Sequence, residues 1–83
     1  MTDSSSPKRA HQILDCIGLY CPMPVIRTKQ EMDKITVGEI LEVLADDSAA
    51  EEDLKAWAKR TGQKILEIEK TTEGLRFLIK KTK

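Results

Sequence analysis

Two of the three prolines in this 83-residue chain stand one residue apart, in Cys21-Pro22-Met23-Pro24. A helix interior excludes such a pair, because each ring removes an N–H and clashes with a carbonyl one turn back. The first turn of a helix accepts it, since the N–H groups there have no intrahelical partner and φ is already preset. The pair therefore predicts a helix beginning at Pro22. It also pushes Cys21 out of the α region and into the extended geometry of an N-cap residue. Val25, Ile26, Lys29 and Met32 follow as the core-facing stripe, with the Lys29 stem crossing it. Thr36-Val37-Gly38 ends the helix, Gly38 being the first good breaker.

The remaining elements fall into place around that helix. Gln12-Ile13-Leu14, closing at Asp15 and Gly18, reads as a buried strand and a turn. Glu39 to Ala45 is β-rich and apolar on both parities, the pattern of a central strand. Ser48 and Glu51 stand in the capping-box relation and open a second helix, whose inward face is Leu54, Trp57, Ala58 and Thr61. Glu51, Glu52 and Asp53 in its first turn, Lys59 and Arg60 in its last, and Gly62 at C′ suit the helix dipole and its cap. Ile65 to Lys70 and Leu75 to Lys81 form a hairpin around Thr71-Thr72-Glu73-Gly74. The order is β-α-β-α-β-β. It predicts an α/β two-layer sandwich: a four-stranded mixed sheet with both helices on one face and the other face partly open. Residues 1–10 are polar and read as a flexible N-terminal tail, leaving 11–83 as a single domain.

Composition narrows the function classes. Fourteen basic and fourteen acidic residues cancel, which argues against a DNA-coating protein. One Trp, one Tyr and one Phe offer little surface for stacking bases. No apolar run reaches the roughly 20 residues of a membrane span, and two cysteines are too few for a disulfide scaffold. A small cytoplasmic domain is expected, with no membrane association. Charge is uneven: Glu31 to Asp53 holds nine acids against Lys34 alone, a candidate docking face.

The chemistry available is thiol chemistry. At the mouth of a helix, Cys21 meets the positive end of the dipole, which favours a thiolate. Pro22 and Pro24 have no N–H, leaving Met23 as the first-turn donor expected to point at the sulfur, and Arg27 and Lys29 add positive field. Cys16 lies five residues earlier and is either a packed core cysteine or a resolving thiol. His11 with the two cysteines has no recognised zinc spacing, so no metal site is expected. No nucleophile elbow, phosphate-cradling loop or H-E-x-x-H motif is present. Asp46-Asp47 reads as helix capping and surface charge rather than a magnesium site.

Leu14-Asp15-x-x-Gly18-Leu19-x-Cys21-Pro22-x-Pro24, followed by Gly38-Glu39, Asp46-Asp47, Trp57 and Gly62, resembles the TusA/SirA family of small sulfur carriers. The resemblance implies the same β-α-β-α-β-β sandwich. It implies that Cys21 carries sulfane sulfur as a persulfide, that Pro22 and Pro24 shape its loop, and that Asp15 and Gly18 form the preceding turn. It also implies a cysteine desulfurase or rhodanese-like donor, a DsrE/TusD-like acceptor and no cofactor. Met23 stands where members devoted to tRNA thiolation have Glu, and Ser48 where many members have Pro. Arg27, Lys29, Tyr20 and Met23 are the candidate docking residues. Two other readings remain: a non-catalytic regulatory module, and a dithiol redox protein using Cys16 and Cys21.

Overall fold

The computed structural model describes residues 12–20 and 22–83; the tail expected at 1–10, His11 and Cys21 lie outside the described residues. Six elements follow in the order β1 (Gln12–Cys16), α1 (Met23–Met32), β2 (Ile40–Ala45), α2 (Ala50–Thr61), β3 (Lys64–Lys70) and β4 (Leu75–Lys80). The sheet order is β1-β2-β4-β3. β1 runs parallel to β2, while β4 is antiparallel to both of its neighbours. A helical crossover is what joins parallel neighbours, and a tight turn is what joins β3 to β4.

Register assigns the two faces. Leu14 pairs with Val43, Val43 with Phe77 and Phe77 with Ile68, so these side chains share one face. They cluster with Met32 of α1 and with Leu54, Trp57 and Ala58 of α2, so both helices cover that face. On the other face Ile13, Glu42, Leu78 and Glu67 form one row and Asp15, Leu44, Arg76 and Glu69 the next. Arg76 is the hub there, 2.6 Å from Glu69, 3.6 Å from Glu42 and 3.7 Å from Glu67. Those carboxylates, Glu69 first, hold its guanidinium above the usual arginine range. Ile13 at one edge is 64% exposed. The partly open face expected from the element order is this one.

The helices differ from the sequence expectation at their ends and on one face. In α1 the buried positions are Pro24, Thr28 and Met32, four residues apart, with Val25 only partly buried. Ile26 and Lys29 are exposed, so neither belongs to the core stripe. The buried ring of Pro24 sets the rotation, and the Thr28 hydroxyl completes that face by donating to the Pro24 carbonyl at 2.6 Å. The helix ends at Met32 rather than at Gly38: the Asp33 and Lys34 N–H groups close on the Lys29 and Glu31 carbonyls, and a distant side chain takes the Met32 carbonyl and that of Ile35 beyond it. Lys81 Nζ donates to the carbonyls of Met32 and Ile35 at 2.9 and 2.8 Å.

α2 is not opened by a Ser48 capping box. Its N-cap is Ala49, without a side-chain cap. Asp47 supplies the turn instead: its Oδ1 accepts the Ala49 N–H at 3.2 Å and its carbonyl accepts the Ala50 N–H at 3.0 Å. The inward face is as expected, with Trp57 only 3% exposed. The indole N–H of Trp57 is buried without a hydrogen-bond partner among the described residues. Gly62 takes the left-handed conformation expected at C′, and its N–H reaches the Ala58 carbonyl at 2.8 Å.

Candidate functional site

The segment leading to Cys21 is built at the C-terminal end of β1. Asp15 turns its carboxylate back to accept the Ile17 N–H at 2.9 Å, and the Leu19 N–H closes on the Cys16 carbonyl at 3.1 Å. Gly18 has φ +87°, where a side chain would be strained. Its N–H donates to Asp46 Oδ1 at 2.9 Å, tying this turn to the loop between β2 and α2 across 28 residues of sequence. Asp15 and Gly18 thus shape the turn that follows β1.

On the far side of Cys21 the chain enters α1. The N-cap is Pro22, with φ −98° and ψ 15°, rather than Cys21. The Met23 N–H donates to the Tyr20 carbonyl at 2.8 Å and so is not the thiol donor expected from sequence. The first turn holds no acidic residue that would compete with an anion for the dipole.

The surroundings of this turn divide by chemistry. Tyr20 is 77% exposed, Met23 39% and Ile26 40%, an apolar strip at the start of α1. Lys29 is exposed on the same helix, while Arg27 is half-buried and close enough to act on the Cys16 sulfur. On the open-face side, Asp15, Ile17, Leu44, Thr71 and Glu73 line a groove of about 310 Å³. Cys16 itself is fully buried in the core cluster. Burial pushes its thiol above the ordinary 9.0, Arg27 offsets part of this, and Asp15 adds to it.

Two residues of this region are not evident from the sequence pattern. Asp46 reads as helix-capping charge, and only the fold brings it to Gly18. Ile26 reads as core because it is apolar at helical spacing; Pro24 four residues before Thr28 was the available signal for the true face.

A family model, Sulfurtransferase TusA, matches residues 12–81. The chain belongs to the TusA family. A relative of this TusA-family chain from Archaeoglobus fulgidus is 53% identical over 68 residues, covering 81% of this chain and 88% of the relative. The sulfur carrier protein TusA of Allochromatium vinosum is 38% identical over 71 residues, covering 86% and 93% of the two chains. Among solved structures, the SirA-like protein from Desulfitobacterium hafniense superposes with a TM-score of 0.71 at 26% identity, covering 83% of this chain and 93% of that one. The four-stranded mixed sheet and two helices are therefore the family fold. No helix among the described residues is long and apolar enough to cross a membrane.

Proposed function

We propose that this TusA-family sulfur carrier holds sulfane sulfur as a persulfide on Cys21 and passes it between two proteins. The observation that carries the reading is the built turn at the Cys-Pro-x-Pro motif. Asp15, Gly18 and Asp46 fix the chain before Cys21, and the Pro24 ring is buried just after it. Neighbours Tyr20 and Pro22 are both exposed, which suits exchange with a partner rather than chemistry in a deep pocket.

The cycle needs only thiol exchange. The Cys21 thiolate attacks the outer sulfur of a donor persulfide; the donor S–S bond breaks, the donor leaves as a thiolate, and Cys21–S–SH remains. An acceptor thiolate then attacks the outer sulfur of Cys21–S–SH, and Cys21 leaves as a thiolate. No cofactor enters either step. The compartment this chemistry suits is the cytoplasm, where thiols stay reduced.

Cys16 supports the assignment by contrast. Its sulfur is buried and held neutral, whereas a transferring thiol must be accessible and ionised. This weighs against the dithiol redox reading. Partners approach from the α1 side, where Tyr20, Met23 and Ile26 give apolar contact and Arg27 and Lys29 give positive charge. The groove on the other side has Asp15 and Glu73 on its rim, carboxylates that repel a thiolate or persulfide anion.

The test is intact mass after incubation with a persulfide donor. Wild type and Cys16→Ala should each gain sulfur and Cys21→Ser should not; loading that survives Cys21→Ser refutes the assignment. For docking, transfer to an acceptor protein should slow as salt shortens the Debye length to about 3–8 Å, and slow again in Arg27→Glu. Transfer indifferent to both would leave docking to Tyr20, Met23 and Ile26.

A further inference from the structure

The hydrogen bond from Gly18 to Asp46 joins two loops that share no secondary structure. Asp46 follows the last residue of β2 and lies exposed at the end of the sheet, and one of its carboxylate oxygens accepts the Gly18 N–H just past β1. Two neighbours flank it. Asp47 commits its own side chain and carbonyl to the start of α2. The β3–β4 turn lies directly against the Asp46 backbone at Gly74, where a Cβ would fall 2.8 Å from Asp46 Cα and 2.9 Å from its Cβ and would strike the Ala45 carbonyl oxygen. The missing side chain at Gly74 is what allows this close seat.

We propose that Asp46 is a positioning residue for Cys21: by accepting the Gly18 N–H it fixes the turn three residues before the thiol and so sets where the sulfur is presented. The proposal rests on Cys21 as the sulfur-bearing residue. Gly18 has φ +87° in a turn that Asp15 and the Leu19–Cys16 bond close from within, and the Asp46 bond is what ties that turn to the β2–α2 loop. A backbone N–H donating to a carboxylate makes a charge-assisted bond, stronger than one to a neutral acceptor. Misplacing a reacting group by about 1 Å costs up to about a hundredfold in rate, so a bond remote from the chemistry has a kinetic reading.

The experiment compares the full chain with Asp46→Ala and Asp46→Asn. Both variants lose the charge; only Asn keeps an oxygen that can accept the Gly18 N–H. Two quantities are read: amide hydrogen exchange at Gly18 by NMR, and the rate at which Cys21 takes sulfur from glutathione persulfide, followed by intact mass across pH. Asp46→Ala should lose roughly tenfold of the Gly18 protection. It should also load on the order of tenfold more slowly, while Asp46→Asn stays within about twofold of wild type in both. If Ala and Asn behave alike in exchange, or alike in loading, the proposal is overturned. If exchange separates the two variants but wild type takes no sulfur, the carrier reading is contradicted and the positioning of the turn stands.

Discussion

The two helices lie on the same face of the same sheet, yet they are held at their ends in opposite ways. α2 is closed by its own neighbourhood: Asp47 makes the entering turn, three acids occupy its first turn, Lys59 and Arg60 its last, and Gly62 the exit. α1 has no acid in its first turn and no side-chain cap. Its beginning is tied to the preceding segment by the Tyr20–Met23 hydrogen bond, and its Met32 carbonyl and the Ile35 carbonyl just beyond it accept from Lys81, 49 and 46 residues away. The local caps make α2 a scaffold element. With no acid in its first turn, the N-terminus of α1 suits the thiol chemistry proposed for Cys21.

The largest test of that contrast is at the core of α2. Trp57→Ala should cost on the order of 3–5 kcal/mol, a large share of the stability of so small a domain, and thermal unfolding would register it. Trp57→Phe should cost much less, since it keeps most of the apolar volume and removes an unpartnered buried donor. A Trp57→Ala variant melting near wild type would mean that α2 is not the scaffold.

Next in size are the helix ends. Lys81→Met strips two carbonyls of a charged donor and should cost about 1–2 kcal/mol. Asp47→Ala removes the entering turn of α2 and should cost about 1 kcal/mol. Amide exchange sharpens the comparison: Lys81→Met should loosen the last turn of α1, and Asp47→Ala the first turn of α2. The reverse pattern would break the distinction between the ends of the two helices.

The smallest effect is a pH dependence. Cys16 has its folded pKa raised by burial, so the folded chain keeps a proton that the unfolded chain gives up near the ordinary value of 9.0. Its contribution is whole below that pH and is lost as pH rises from there through the folded pKa. Thermal unfolding from pH 8 upward should therefore show a shallower loss in Cys16→Ala than in wild type. Parallel curves would mean that the Cys16 thiol titrates freely.

The same contrast explains what could be read from the sequence. α2, the hairpin and the strand order are written in local signals: alternating apolar residues, a charged helix with a glycine exit, a turn of Thr-Thr-Glu-Gly. These fix the β-α-β-α-β-β order without reference to distant residues. The C-terminal end of α1 is only partly local. Nothing near Met32 announces a stop in the sequence pattern, and the side chain that reaches its carbonyl, Lys81, lies just past β4. The face of α1 departs from its apolar pattern because Ile26 turns to solvent while the Pro24 ring is buried. In the site, Asp15, Gly18 and the prolines were legible because each acts on its own backbone. Asp46 was not, because its partner Gly18 is 28 residues away.

The most direct measurement is the location of the added sulfur. Trypsin cleavage after Arg9 and Arg27 releases Ala10–Arg27, a single peptide holding both Cys16 and Cys21. The loaded chain, alkylated under acid-quenched conditions and fragmented within that peptide, should show the extra sulfur on fragments containing Cys21 and none on those that contain Cys16 alone. Sulfur found on Cys16, or on neither thiol of a chain exposed to a competent donor, would contradict the account.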